Sequence, residues 1–160
     1  MDSTSIIMGV ALLALFALPF ILIGRASKKN KKQLIDKLTK LAEKHSSVIK
    51  ESDHCSDFAI GIDTAEKTIF YVKAGKEGEK SQVVKLSEYK TTRIVNQSKT
   101  LSDNGAKTTV TAKLALAFVP VSKDKAEIQL EFYNSEDKNQ ITSELELLNK
   151  WNELVNLKLK

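Results

Sequence analysis

The residues best suited to chemistry gather in one short stretch, Asp53-His54-Cys55-Ser56-Asp57, with His45 upstream. Imidazole, thiolate and carboxylate groups are all metal ligands. Structural zinc sites, however, pair their ligands at short, fixed intervals, and this stretch contains no such pair. Cys55 is therefore read as a loop cysteine, and no metal or other cofactor is expected. As the sole cysteine it excludes an internal disulfide, which fits a reducing compartment. Catalytic signatures are missing as well. The chain has no phosphate-cradling glycine loop, no nucleophile elbow and no His-x-x-x-His pair. Both histidines precede the strand-forming part of the chain, so a general base there would have to be a carboxylate. Surface carboxylates are ordinary in any folded domain. No catalytic residue is expected, and the chain is not read as an enzyme.

Charge and hydropathy say more than these polar residues do. Ile6 to Gly24 is a run of nineteen uncharged, mostly apolar residues, followed at once by Arg25, Lys28, Lys29, Lys31 and Lys32. A helix rising about 1.5 Å per residue needs roughly 20 apolar residues to cross a bilayer, so the run is long enough. A secretory signal would carry its positive charge before the apolar run and a small-residue cleavage site after it. Here only Asp2 is charged in the leader, and Arg25 interrupts the would-be cleavage site. The run is therefore read as a retained transmembrane helix over 6–24, behind a short extracytoplasmic tail over 1–5. Positive charge gathers on the cytoplasmic side, which places the N-terminus outside and the rest in the cytoplasm. The segment 25–32 is a polybasic juxtamembrane stretch. Its lysines and Arg25 either contact anionic lipid headgroups or only fix the topology.

The net charge of +5 is unevenly distributed. Residues 25–50 hold nine Lys/Arg against two acids, whereas residues 51–160 are nearly neutral. The folded part lacks the basic patch that nucleic-acid binding requires, so no nucleic-acid partner is expected.

Periodicity then divides the chain. Leu34, Leu38, Leu41, His45 and Val48 step by four and three, which predicts an amphipathic linker helix over 33–50. That helix lies on the domain or the membrane, or self-associates weakly through its heptad-like seam. From Phe58 the period becomes two. Strands are predicted at Phe58–Ile62, Thr68–Lys73, Gln82–Leu86, Thr91–Gln97, Thr108–Phe118 and Glu127–Tyr133, with Ser98–Lys107 as a polar loop. Asn139 to Lys160 has neither proline nor glycine and carries Ile141, Leu145, Leu148 and Val155 on one helical face. Trp151 in that stripe is expected to anchor the helix against the sheet.

Six strands and a terminal amphipathic helix resemble the order of pleckstrin-homology-like (PH-like) domains. Ile62-Asp63 with Lys67-Thr68-Ile69 across the first hairpin, and Ile128 to Tyr133 leading to Trp151, are similar to patterns in bacterial members. The resemblance covers residues 56–160. It implies an α+β fold in which an antiparallel, partly closed β-barrel of six or seven strands is capped by the C-terminal α-helix. A seventh strand would lie within Ser46–Asp53. It also implies a bacterial inner-membrane setting. The first hairpin turn, Asp63 to Lys67, carries two acids and one lysine, which argues against inositol-lipid recognition there.

The functional expectation is a single-pass, membrane-anchored interaction module, an adaptor or accessory subunit of a membrane complex with a protein partner. A sensor of anionic lipid surfaces is the alternative. For strand addition by a partner, the candidate edge is Thr91–Gln97, with Arg93 and Val95 facing outward.

Overall fold

The computed structural model describes residues 29–76, 78–103 and 106–160. Helix α1 is described over residues 29–44. Its Leu34, Leu38 and Ala42 recur every fourth position and form a single stripe, buried against Ala59, Phe70 and Val72. The helix ends in a left-handed cap at Ser46, with φ of 55°. There the Ser47 N–H donates back to the Ala42 carbonyl at 3.0 Å.

Four antiparallel strands follow: β1 (Glu51–His54), β2 (Phe58–Asp63), β3 (Thr68–Gly75) and β4 (Gly78–Lys85), paired in that order. Every residue of β2 is buried. Phe58, Ile60 and Ile62 face the core, while Ala59 and Gly61 face α1. Gly61 is what allows the close approach. A Cβ there would lie 2.9 Å from Ile49 Cγ2 and 3.2 Å from Leu38 Cδ2. A 3₁₀ turn, Leu86–Glu88, then carries the chain out of this sheet.

The second sheet holds β5 (Tyr89–Asp103), β6 (Ala106–Pro120) and β7 (Ile128–Asn134), ordered β5-β6-β7. Strand β7 pairs only with Lys113 to Phe118 of β6. Residues 98–103 and 106–111 therefore continue as a two-stranded ribbon. Helix α2 (Glu144–Leu159) lies against this sheet and the core. Leu148, Trp151 and Val155 are fully buried among Phe58, Ile60, Leu116, Phe132 and their neighbours. Burying such a face is what stabilises a 16-residue helix of modest intrinsic preference.

Several expectations are corrected. The strands form two separate sheets, four and three, and not one partly closed barrel. The reason lies between β4 and β7. There side chains span the gap where a backbone ladder would be needed, with the Tyr71 hydroxyl donating to the Glu131 carbonyl and Lys73 paired to Glu131. The described residues hold seven strands, within the expected six or seven, and the seventh is Glu51–His54, paired with β2. The polar stretch 98–107 is largely strand, its Thr-rich arms pairing from Ser98↔Thr111 to Asp103↔Ala106. Helix α2 starts at Glu144, so Ile141 precedes it, and Leu145 is exposed. The linker helix ends at residue 44, leaving His45 and Val48 exposed beyond it. Among the described residues no helix is long and apolar enough to cross a membrane. The span expected at 6–24 lies outside them, as do the tail 1–5, Arg25 and Lys28.

Candidate functional site

The stretch Asp53–Asp57 does not act as a unit. Asp53 points to α2, where its Oδ2 accepts from Trp151 Nε1 at 2.9 Å and from Lys150 Nζ at 2.6 Å. His54 stands near Lys31. Burial first, then the Lys31 charge, lower its pKa below the ordinary histidine value. His45 is remote from both and tilts against Phe70, with ring centroids 6.0 Å apart.

Cys55, Asp57 and Glu144 do converge, their donor atoms lying within 4.8 Å of one another. The centre of that cluster already holds a cation. Lys138 Nζ binds Asp57 Oδ1 at 3.0 Å and also pairs with Glu144. The Cys55 thiol donates to Glu144 Oε1 at 3.1 Å, and the Thr142 N–H donates to Oε2 at 2.6 Å. Burial alone would raise the Glu144 pKa, but Lys138, Cys55 and Thr142 outweigh it and bring the carboxyl to about 2. These groups fasten the loop between β7 and α2 onto the β1–β2 turn. Their chemistry is structural, and the protein's own ammonium fills the place a metal would need.

A second ionic centre adjoins the first. Lys73, only 2% exposed, lies 2.7 Å from Glu131, 3.4 Å from Asp137 and 3.6 Å from Asp57. Burial, with the nearby charges of Asp57, Glu131 and Asp137, raises the Tyr71 phenol well above its usual value and keeps it protonated. Lys73 and Tyr71 form the floor of a polar groove of about 600 Å³ between β4 and β7, walled by Ser81, Gln82, Lys113 and Gln129. The groove can hydrogen-bond a polar group. Its buried amine is committed to three carboxylates, and no nucleophile–base pair lines it. Sequence reasoning missed this centre. Its signal was Lys73 itself, in phase with Ile69 and Tyr71 on the core-facing side of β3.

The expected edge, Thr91–Gln97, lies in β5. Thr92 N–H donates to Asn156 Oδ1 at 2.9 Å, and Asn156 Nδ2 donates to the Thr92 carbonyl at 3.2 Å. Helix α2 thus caps β5 at Thr92 much as another strand would. Backbone groups alternate in direction along a strand, so those of Ile94 and Asn96 also point away from β6, and those of Arg93 and Val95 point toward it. The Arg93 side chain is exposed and pairs with Glu127 at 2.9 Å.

The polybasic segment divides at the first described residue. Lys29, Lys31 and Lys32 open α1, and all three are exposed. Their end of the molecule also carries His54, the β3–β4 turn and the loop 135–143, which Lys76 reaches by donating to the Glu136 carbonyl. No protein-family model, curated protein or solved structure matches this chain.

Proposed function

We propose that the chain is a single-pass, membrane-anchored cytoplasmic interaction module, an adaptor or accessory subunit of a membrane protein complex. One observation carries the reading. Helix α1 packs onto the four-stranded sheet as part of the domain, and residue 29, the first described residue, is already helical and follows the apolar run by five positions. The folded part is thereby held at the bilayer, where a partner in the same membrane meets it at high effective concentration. The ionisable clusters support the same reading, because they fasten elements together and leave recognition to backbone edges and exposed faces. Between the cap at Thr92 and the ribbon, Ile94 and Asn96 offer outward backbone groups to an added strand.

The test is co-purification from gently solubilised membranes with the partner identified by mass, repeated with Asn96→Pro. Loss of the partner with an unchanged melting curve supports edge pairing. A chain that purifies alone from cross-linked membranes overturns the adaptor reading. Val95→Pro removes a donor directed at β6, so it reports on the integrity of the sheet and not on the edge.

A further inference from the structure

We propose that the end of the domain formed by the start of α1 and the loop 135–143 docks flat on an anionic bilayer surface, with Ile141 as its shallow apolar contact. The inference rests on the membrane-anchored reading above. Five peptide steps separate Gly24 from residue 29, at most about 18 Å of extended chain. Helix α1 cannot swing out to lengthen that tether, because Leu34, Leu38 and Ala42 are buried on the sheet and Lys37 pairs with Glu79 on β4. Whatever lies at the start of α1 therefore lies at the membrane.

Three groups of residues meet there. Lys29, Lys31 and Lys32 are exposed along the first turn of α1. The loop 135–143 is joined to this end through Lys138, which bonds Ser56, and through Ser143, whose Oγ lies 3.5 Å from the Cys55 sulfur. On it Ile141 is 38% exposed, and Leu145 in the next turn is 46% exposed. Two exposed acids at this end, Asp36 and Glu136, stand against four exposed lysines, Lys29, Lys31, Lys32 and Lys76. Asp57, Asp137 and Glu144 are paired internally to Lys73 and Lys138. The α1 lysines thus present their charge toward anionic headgroups, and an isolated apolar residue beside them enters the interface.

The experiment uses the full chain in lipid nanodiscs. In a Cys55→Ser background, Ile141→Cys and Val121→Cys each carry a fluorophore quenched by a lipid-borne nitroxide. Val121 is exposed and lies near Glu88, at the opposite end of the sheets. With phosphatidylglycerol in the disc, the label at 141 is quenched and the label at 121 is not. Lys31→Gln or Lys32→Gln each lower the ratio of docked to undocked chain about fivefold, as does each further lysine lost. Equal accessibility of both labels in anionic discs overturns the docking while the anchor stands. A chain that does not enter discs overturns both. Hydrogen exchange of the unsubstituted chain gives a second readout, with protection over 139–142 expected in anionic but not in phosphatidylcholine discs. Absence of that difference overturns the docking.

Discussion

The two sheets of this domain solve the same burial problem in different ways. The four-stranded sheet is covered on both faces, by the common core inside and by α1 outside. Its outer residues are accordingly small or apolar: Ala59, Gly61, Phe70 and Val72. Among the described residues no helix covers the outer face of the three-stranded sheet. Ala115 and Ala117 are fully buried there in the middle strand, beside long polar side chains: Arg93 of β5 reaches Glu127, just before β7, and Lys113 of β6 reaches Gln129 of β7. A sheet roofed by a helix is fixed to whatever holds that helix, on the proposed reading the segment that leads to the membrane. A sheet roofed by polar side chains leaves an outer face and an edge that, on the proposed reading, a partner takes over. On the proposed reading the domain is divided into an anchoring half and a presenting half, and α2 is what makes them one unit. It reaches β1 through Trp151 and Asp53, and β5 through Asn152 and Asn156 with Thr92.

The largest effect is therefore expected at α2. Trp151 is fully buried, and Trp151→Ala removes both core volume and the bond to Asp53. A loss of about 3–5 kcal/mol is expected by chemical denaturation, in one cooperative transition shared by both halves. Two separate transitions would break the comparison by showing that the sheets fold independently. The next effect is a dependence on pH. The Glu144 carboxyl titrates near 2 when folded against an ordinary value of 4.5. Its contribution, about 3 kcal/mol, is complete above pH 4.5 and fades as the pH falls toward 2. Glu144→Gln should flatten that limb of the stability profile, measured by denaturation between pH 2 and 6. An unchanged slope would show that Lys138 does not hold the carboxylate charged.

How much of this was legible in the sequence depended on which faces a strand buries. Strands β6 and β7 each have one face on the core, and their alternating Leu114, Leu116, Phe118 and Leu130, Phe132 stood out. Strand β2 is buried on both faces, and the alternation of Ile60 and Ile62 with Ala59 and Gly61 marked only one of them. The clue was size and not polarity, since nothing charged interrupts Phe58 to Ile62. The ribbon was hidden for the opposite reason. With both faces in water it carries no hydrophobic period, and only its threonines and the Asn104-Gly105 pair marked it as a hairpin. Of the site, Arg93 and the α1 lysines could be named from charge alone. The Lys73 and Glu144 clusters could not, because their members are separated along the chain and meet only when the loop 135–143 folds back on the β1–β2 turn.

The helix roof itself can be broken selectively. Gly61→Ala places a methyl group 2.9 Å from Ile49 Cγ2 and 3.2 Å from Leu38 Cδ2, so α1 or the segment behind it has to shift. Overpacking of this kind costs about 1–3 kcal/mol. Limited proteolysis should show cleavage between α1 and β1 before the rest of the domain is cut, while the near-ultraviolet signal of Trp151 is retained. Simultaneous loss of both would mean that α1 is part of the global fold and not only a roof over one sheet.

The smallest effect is expected on the presenting half. Arg93 is 55% exposed and Glu127 29% exposed, and an ion pair in that setting contributes at most about 1 kcal/mol once solvent screening is counted. Arg93→Ala should therefore leave the melting temperature within a few degrees of the parent. It should also leave β5 in place, because the Thr92 backbone remains held by Asn156 and the backbone groups of residues 93 and 95 remain in the β6 ladder. Its use is as a contrast with Asn156→Ala. That substitution removes the cap from the same strand and exposes the Thr92 backbone groups, at a net cost of about 1 kcal/mol per lost hydrogen bond. If partner capture in gently solubilised membranes survives Arg93→Ala and rises with Asn156→Ala, the helix cap limits how far an added strand can run along β5. If Arg93→Ala alone abolishes capture with the fold intact, the partner reads the outer face of the sheet and not its edge.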